Sequence, residues 1–133
     1  AGENDGADRI SWERADVLEA LKTFRSEGRL FDTVVLDPPA FVRSRKHLKA
    51  GLRGYLDLNR KGLDTVRPGG MLITCSCSHH FTPETFTDTV AHAASLAGRH
   101  VRVIGRGSQS ADHPAMLTAP ETAYLKCLAL QVE

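Results

Sequence analysis

The chain has 133 residues, of which 41% are hydrophobic and 25% are charged, proportions that are typical of a single soluble globular domain. Its 17 basic and 16 acidic residues give a formal net charge of +1, which excludes the chain-wide basic field of many nucleic-acid-binding proteins. No apolar run approaches the roughly 20 residues that a membrane-spanning helix needs. Three cysteines, without a disulfide framework or zinc-ligand spacing, favour a reducing, cytoplasmic setting and no bound metal.

Hydrophobic periodicity predicts alternating strands and helices in the first half of the chain. Residues 10–12 form a short candidate strand, and residues 17–27 form a helix that stops at Gly28. Residues 31–36 (FDTVVL) are rich in β-branched side chains and predict a buried strand, which the prolines of Asp37-Pro38-Pro39 end. Apolar side chains then recur at helical spacing over residues 46–66.

The second half continues this alternation. Arg67-Pro68-Gly69-Gly70 predicts a turn, and residues 71–75 (MLITC) predict a buried strand. Thr82 as N-cap and Pro83 as the first helical residue begin a helix that runs to Gly98. A strand at 101–104, a loop at 105–120 without a convincing helix, and a long strand at 124–132 complete the chain. The fold class is therefore α/β, with a mostly parallel sheet and one antiparallel C-terminal strand.

Ligands in open α/β sheets bind beyond the carboxyl ends of the parallel strands, where two motifs of this chain lie. The first motif is Asp37-Pro38-Pro39-Ala40-Phe41. Its rigidly held carboxylate and backbone carbonyl suit an exocyclic amine or a ring nitrogen, and Phe41 can stack on a flat base. The same residues could instead form a Pro-Pro turn that merely ends the strand, with Phe41 in the core.

The second motif is Ser76-Cys77-Ser78. A thiolate attacks an electron-poor ring carbon well, and a strand end presents Cys77 to the cleft. The alternative is a buried cysteine that acts as a small hydrophobe, which is the interpretation for Cys75 and Cys127. His79 is a candidate for proton handling next to Cys77.

Two further features could contact a cofactor or RNA. Asp16 could accept a hydrogen bond from an adenine amine, or it could be a helix N-cap. The basic residues after the Asp-Pro-Pro motif suit RNA phosphates, or they form a solvated helix face. These basic residues are Arg43, Arg45, Lys46, Lys49 and Arg53.

In chain order, these segments resemble the bacterial family that makes 5-methylcytidine in large-subunit ribosomal RNA. The matching stretches are residues 14–17, 31–59, 67–78 and 111–126, over nearly the whole chain. The resemblance implies the Rossmann-like sheet of class I methyltransferases, with S-adenosylmethionine (SAM) as cofactor and ribosomal RNA as partner. Residues 1–133 would be the part of the catalytic domain from the third strand to the C-terminus, lacking the first two strands and having no second domain.

The resemblance also implies roles for single residues. Cys77 would be the nucleophile that adds to carbon 6 of cytosine, so that carbon 5 can take the methyl group, and Asp37 would stabilise the adduct between cofactor and base. The residues expected at the cofactor are Asp16, Val17, Asp37 and Pro38. The residues expected to contact the RNA are Pro38, Pro39, Phe41, Arg43, Lys46 and Tyr55.

The chain departs from the family pattern in two places. Ala40 stands where many RNA cytosine methyltransferases carry a second cysteine, and no glycine-rich turn of the kind that holds the cofactor precedes Asp16. The chain also begins without Met. We therefore expect a fragment that binds cofactor poorly and is inactive alone, although its parent is an enzyme. Loss of the first strand would expose the edge of strand 31–36, which favours a homodimer or a swapped assembly through that edge.

Two other functions are compatible with these residues. An amino-group methyltransferase that acts on RNA or DNA could use the Asp-Pro-Pro motif without any cysteine. A non-catalytic α/β module could instead use the cleft to bind RNA or protein, and the lack of a glycine-rich turn agrees with that function.

Overall fold

The computed structural model describes residues 9–42 and 45–133, so Arg43, an expected RNA contact, lies outside the described residues. The helices are α1 (Val17–Ser26), α2 (Leu48–Asp64) and α3 (Pro83–Leu96), and the strands are β1 (Phe31–Leu36), β2 (Val66–Ser76), β3 (Val101–Gly107) and β4 (Lys126–Val132). Short 3-10 helices occupy Arg45–His47 and Pro120–Thr122. None of the helices in these two ranges is long and apolar enough to cross a membrane.

The four strands form one mixed sheet in the order β1-β2-β4-β3. β1 and β2 are parallel, whereas β4 is antiparallel to both of its neighbours, β2 and β3. β3 therefore runs in the direction of β1 and β2, which confirms the α/β fold with one reversed C-terminal strand. The link from β3 to β4 contains a 3-10 turn and no α-helix, and such a link allows the chain to reverse its direction. The outer edge of β1 pairs with no other described strand.

One hydrophobic core lies between the sheet and the helices. In β2, Leu72, Thr74 and Ser76 are buried, whereas Ile73 and Cys75 are half-buried, because successive side chains of a strand point to opposite faces. The buried cluster draws on α1, α2, α3, β2 and β4, for example through Leu21, Tyr55, Phe86, Leu72 and Leu130. The half-buried side chains of β2 therefore lie on the face of the sheet that these helices do not cover.

Local signals set both ends of α1 and α3. The Asp16 carboxylate accepts hydrogen bonds from two backbone N–H groups at the start of α1, and the Thr82 hydroxyl accepts one at the start of α3. Just beyond the helix ends, Gly28 and Gly98 have φ angles of +66° and +62°. Glycine adopts this left-handed conformation without a steric penalty, so these positions stop the two helices where the sequence predicts.

Two predictions about strands are wrong. Residues 10–12 form no strand, and Trp12 is 81% exposed, because no described strand lies beside this segment to pair with it. The turn predicted at Arg67-Pro68-Gly69-Gly70 is instead a bulge inside β2. Phe31 aligns with Val66 but Thr33 aligns with Met71, so the residues between them loop out, with a φ of +79° at Gly69. Pairing of Val66 with β1 extends β2 beyond the predicted start at residue 71.

Candidate active site at the carboxyl ends of β1 and β2

The carboxyl ends of β1 and β2 lie side by side. Leu36 aligns with Thr74 in this parallel pair, so the chain leaves β1 at Asp37 and β2 at Cys77 along the same sheet edge. Asp37 is exposed and Cys77 is half-buried. Both motifs that the sequence singled out therefore meet at the edge where ligands of α/β sheets bind.

Cys77 emerges between two serines that are fully buried. The Ser76 hydroxyl donates to Tyr55 Oη at 2.9 Å, and Tyr55 Oη shares a second hydrogen bond of 2.9 Å with Ser78 Oγ. The backbone N–H of Ser78 also donates to Ser76 Oγ, at 3.3 Å. Because both neighbours are anchored in the core, the strand alternation turns the Cys77 side chain towards the uncovered face.

The same serine connects the two motifs. The backbone N–H of Val42, just beyond the Asp-Pro-Pro motif, donates to Ser78 Oγ at 3.2 Å. α2 can approach this segment closely because it has Gly51 there, where a Cβ atom would lie 2.3 Å from Val42 Cγ2 and 3.0 Å from the Phe41 carbonyl oxygen. The separation between the Asp37 and Cys77 segments is thus set by buried polar contacts and by a close helix packing.

Tyr55 does not have the position expected of an RNA contact. It is completely buried, and its ring centroid lies 4.8 Å from those of both Phe41 and Phe81. The expectation that Tyr55 touches substrate is therefore wrong, and its hydroxyl instead holds the two serines around Cys77. The helical spacing of apolar residues in α2 already contained the signal, since Tyr55 shares the inward face with buried Leu58 and Leu63.

The other described residues expected at the RNA lie between the end of β1 and the start of α2. Phe41 is half-buried and packs against Tyr55. One part of its ring therefore belongs to the core, as the second of the two interpretations of this motif expects. Pro38 is half-buried and Pro39 is exposed. Lys46 is exposed in the short helix that leads into α2.

Asp16 performs the capping function that the sequence allowed. Its Oδ1 atom accepts from the backbone N–H groups of Leu18 at 3.0 Å and Glu19 at 3.1 Å, and Val17 beside it is 48% exposed. Capping fully accounts for one carboxylate oxygen of Asp16. Its second oxygen has no hydrogen bond among the contacts of the described residues.

The three cysteines differ in their surroundings. Cys75 aligns with Cys127 across β2 and β4, and both are half-buried rather than enclosed in the core as predicted, because they lie on the uncovered face. Burial, the adjacent Cys127 and the negative charge of Asp37 together raise the pKa of the Cys75 thiol to about 12. Cys75 therefore stays a neutral thiol at physiological pH, and only thiolates are effective nucleophiles.

Lys126 is a site residue that the sequence reasoning missed. Its side chain is 8% exposed, and Nζ donates to the backbone carbonyl of Ser78 at 2.6 Å. A signal was present, because Lys126 occupies the same face of β4 as buried Leu128, Leu130 and Val132, where a charged residue is unusual. His79 is exposed, with its ring centroid 6.0 Å from that of Tyr124.

Comparisons with known proteins show what this chain is similar to. No family model matches the chain. Ribosomal RNA large subunit methyltransferase I from Cronobacter sakazakii is 43% identical over 119 residues, which make up 90% of this chain and 30% of that protein. The structure of SMU.776 with SAH has a TM-score of 0.74 at 18% identity, over 94% of this chain and 33% of that chain. The structure of NSun6 from Pyrococcus horikoshii with SFG has a TM-score of 0.63 at 16% identity, over 92% of this chain and 34% of that chain.

These likenesses establish the fold. The chain has the Rossmann-like α/β fold of parts of these methyltransferase structures, with its strands in the order β1-β2-β4-β3. It spans about a third of the length of the proteins that it matches. Over that third, it is similar in sequence to bacterial enzymes named for the methylation of large-subunit ribosomal RNA.

Proposed function

We propose that this chain is the C-terminal part of the catalytic domain of a SAM-dependent enzyme that methylates carbon 5 of a cytosine in large-subunit ribosomal RNA. One observation carries the proposal: the Cys77 side chain emerges between two buried serines at the same sheet edge as Asp37. The names of the relatives support ribosomal RNA and methyl transfer. The cysteine supports carbon 5, because addition of a thiolate to carbon 6 makes carbon 5 of cytosine nucleophilic.

The described residues fit one side of a SAM molecule. The exposed Asp37 carboxylate follows β1, with Pro38 beside it, and the Asp16 carboxylate stands at the start of α1, with Val17 beside it. Carboxylates of this kind accept hydrogen bonds from the amine groups that SAM carries. When bound, SAM supplies an electrophilic methyl group on a sulfonium centre.

The described residues do not form the other side of that site. The outer edge of β1 pairs with no described strand, and residues 9–42 and 45–133 contain no glycine-rich turn between a strand and a helix. Such turns bind the cofactor through backbone N–H groups at a helix N-terminus. We therefore expect this chain to bind SAM weakly and to be inactive alone, with activity in a longer protein.

Residues of the chain carry the addition to the base and the stabilisation of the adduct. The Cys77 thiolate forms a bond to carbon 6, and the electrons of the C5=C6 bond move towards carbon 5. Asp37 stabilises this adduct by a hydrogen bond with ring nitrogen 3 or the exocyclic amine. After carbon 5 has gained the methyl group, a base removes its proton, and the electron pair left behind expels Cys77 as a thiolate.

Exposed basic residues next to the Asp-Pro-Pro motif suit the RNA backbone. Lys46, Lys49 and Arg53 are all exposed, and neutralisation of phosphates by such residues supplies most of the affinity for nucleic acid. Pro38, Pro39 and the open part of Phe41 would then face the base, with Arg43 nearby in sequence. An rRNA substrate implies a cytoplasmic enzyme, and the outer edge of β1, which pairs with no described strand, supports a homodimer of this chain.

Methylation of cytosine-labelled ribosomal RNA by the longer protein tests the proposal, with Cys77→Ser compared against Cys75→Ser as the matched control. Cys77→Ser should abolish 5-methylcytidine, and Cys75→Ser should keep it, because the thiol of Cys75 is held neutral. The unmodified protein should also form a covalent complex with RNA that contains 5-fluorocytidine. Undiminished methylation by Cys77→Ser would favour amine methylation at Asp37, and a longer protein without any methyl transfer would favour a binding module.

A further inference from the structure

Lys126 is the only charged side chain that is buried in the described part of the chain. It is the first residue of β4 and aligns with Ser76 of β2, so its side chain enters the helix-covered side of the sheet beside Ser76, the residue before Cys77. Burial of an unpaired ammonium is costly, so a lysine in this place requires a compensating partner.

The polar contacts of Lys126 lead to the Cys77 segment. Its Nζ atom donates to the carbonyl oxygen of Ser78 at 2.6 Å, and no carboxylate within residues 9–42 or 45–133 lies within 4.0 Å of it. A single carbonyl contact leaves most of the charge without an anion. Cys77 is the residue before Ser78, and a negative charge on its sulfur acts on the Lys126 ammonium.

We propose that Lys126 is a positioning residue for Cys77, whose buried ammonium holds the Ser78 carbonyl and stabilises the Cys77 thiolate from behind the strand. This inference rests on the proposed function only for its biological meaning. The thiolate is the anion that compensates the buried ammonium, and the ammonium in turn keeps the nucleophile charged. Lys126 itself faces the core, so it does not contact the RNA.

Electrostatics agree with this geometry. Burial lowers the pKa of Lys126, and a negative charge on Cys77 opposes that shift by raising it. An interaction between two titrating groups is mutual, so an ammonium that a thiolate stabilises also favours that thiolate. Because burial lowers the pKa of Lys126, its ammonium form depends on an anionic neighbour more than that of an exposed lysine would.

Other titratable groups near this corner differ in position. On the helix-covered side, Tyr55 of α2 contacts Ser76 and Ser78 through its hydroxyl. On the uncovered face and in the adjoining loops the titratable groups are Asp37, Cys75, His79, His80, Tyr124 and Cys127. The second cation, Arg106, lines the same small cavity as Lys126 but is exposed and donates to the Thr87 hydroxyl at 3.3 Å. Arg106 is therefore a matched control for the loss of one positive charge close to Lys126.

Alkylation of Cys77 measures its thiolate directly. The full chain is treated with iodoacetamide under reducing conditions from pH 6 to pH 10, and peptide mass mapping follows each of the three cysteines separately. In Lys126→Met, Cys77 should react about tenfold more slowly at pH 7. The pH at which its rate begins to rise should be higher than in the unmodified chain. Arg106→Met should leave the Cys77 profile in place, and Cys127 should keep its rate in both variants.

An unchanged Cys77 profile in folded Lys126→Met would overturn the inference. If that variant does not fold, the reciprocal measurement decides: NMR of labelled lysine side chains in the unmodified chain and in Cys77→Ser, which is nearly isosteric. Loss of the thiolate should move the Lys126 titration to lower pH, and an identical titration in the two proteins would contradict the coupling.

The two proposals fail separately. If Cys77→Ser keeps methylation in the longer protein while Lys126→Met slows alkylation, then the proposed function fails and the coupling between Lys126 and Cys77 stands. If Cys77→Ser abolishes methylation while Cys77 of Lys126→Met is alkylated at the normal rate, then only the proposed role of Lys126 fails.

Discussion

Removal of the Tyr55 hydroxyl tests whether buried hydrogen bonds hold the Cys77 segment. Tyr55→Phe keeps the ring and its stacking 4.8 Å from Phe81, so the substitution removes little apolar contact. It deletes the partner of both serines, at distances of 2.9 Å each. The Ser76 hydroxyl then has no acceptor in a site from which water is excluded.

The expected loss follows from these two contacts. A buried hydrogen bond contributes about 1 kcal/mol net, and an unsatisfied buried hydroxyl costs roughly a further 1–3 kcal/mol. We expect Tyr55→Phe to lower the free energy of unfolding by about 2–4 kcal/mol. Urea unfolding, followed by circular dichroism, measures this difference from the shift of the midpoint at constant slope.

Tyr124→Phe provides the matched control. Tyr124 is half-buried, and its contact is the ring of His79, with no hydrogen bond from its hydroxyl among the described residues. The control should change the stability by less than about 0.5 kcal/mol. If Tyr55→Phe is as harmless as Tyr124→Phe, the hydroxyl does not anchor the serines, and the account of how Cys77 is held is wrong.

Three further predictions concern the helix cap, one thiol and the sheet edge. Asp16→Ala should lower the free energy of unfolding by about 1 kcal/mol, because two backbone N–H groups of α1 lose their acceptor, whereas Asp16→Asn should retain most of it. Burial, together with Cys127 and Asp37, raises the pKa of Cys75 from 9.0 to about 12, so folding favours its protonated form. The stabilisation that this thiol contributes is present in full below pH 9.0 and is lost as the pH rises towards 12. Over that pH range, the free energy of unfolding measured with urea should fall less in Cys75→Ser than in the unmodified chain. Val35 is 61% exposed on the edge strand β1, so Val35→Lys should weaken a homodimer formed through that edge. Sedimentation velocity that finds a monomer before the substitution, even at high concentration, would refute the dimer.

Much of the architecture follows from signals within a few residues. Asp16 and Gly28 bound α1, and Thr82, Pro83 and Gly98 bound α3, because caps and stops act through hydrogen bonds and φ angles of neighbouring residues. β1 coincides with the predicted strand for a similar reason, since its β-branched run ends at two prolines. The convergence of the Asp37 and Cys77 segments was also predictable, because parallel strands end at a common edge.

Residues whose role depends on distant partners could not be assigned in this way. Tyr55 carries the same helical spacing whether its hydroxyl meets RNA or two serines, and only the packing of α2 on β2 selects the serines. Residues 10–12 have the composition of a strand, but a strand requires a neighbour to pair with, and none is described there.

The position of β4 shows most clearly the difference between what local sequence signals determine and what contacts between distant residues determine. Its alternating apolar pattern determined a strand, and the helix-free link before it allowed a reversed direction. Its insertion between β2 and β3 was decided by pairing across the sheet, and that pairing is what aligns Lys126 with Ser76, the residue before Cys77, and brings an ammonium beside it. The sequence by itself thus determined the elements and the edge at which the chemistry lies. The tertiary structure alone decided which buried side chains surround the cysteine, because contacts between residues far apart in the chain arise only when the sheet and helices pack.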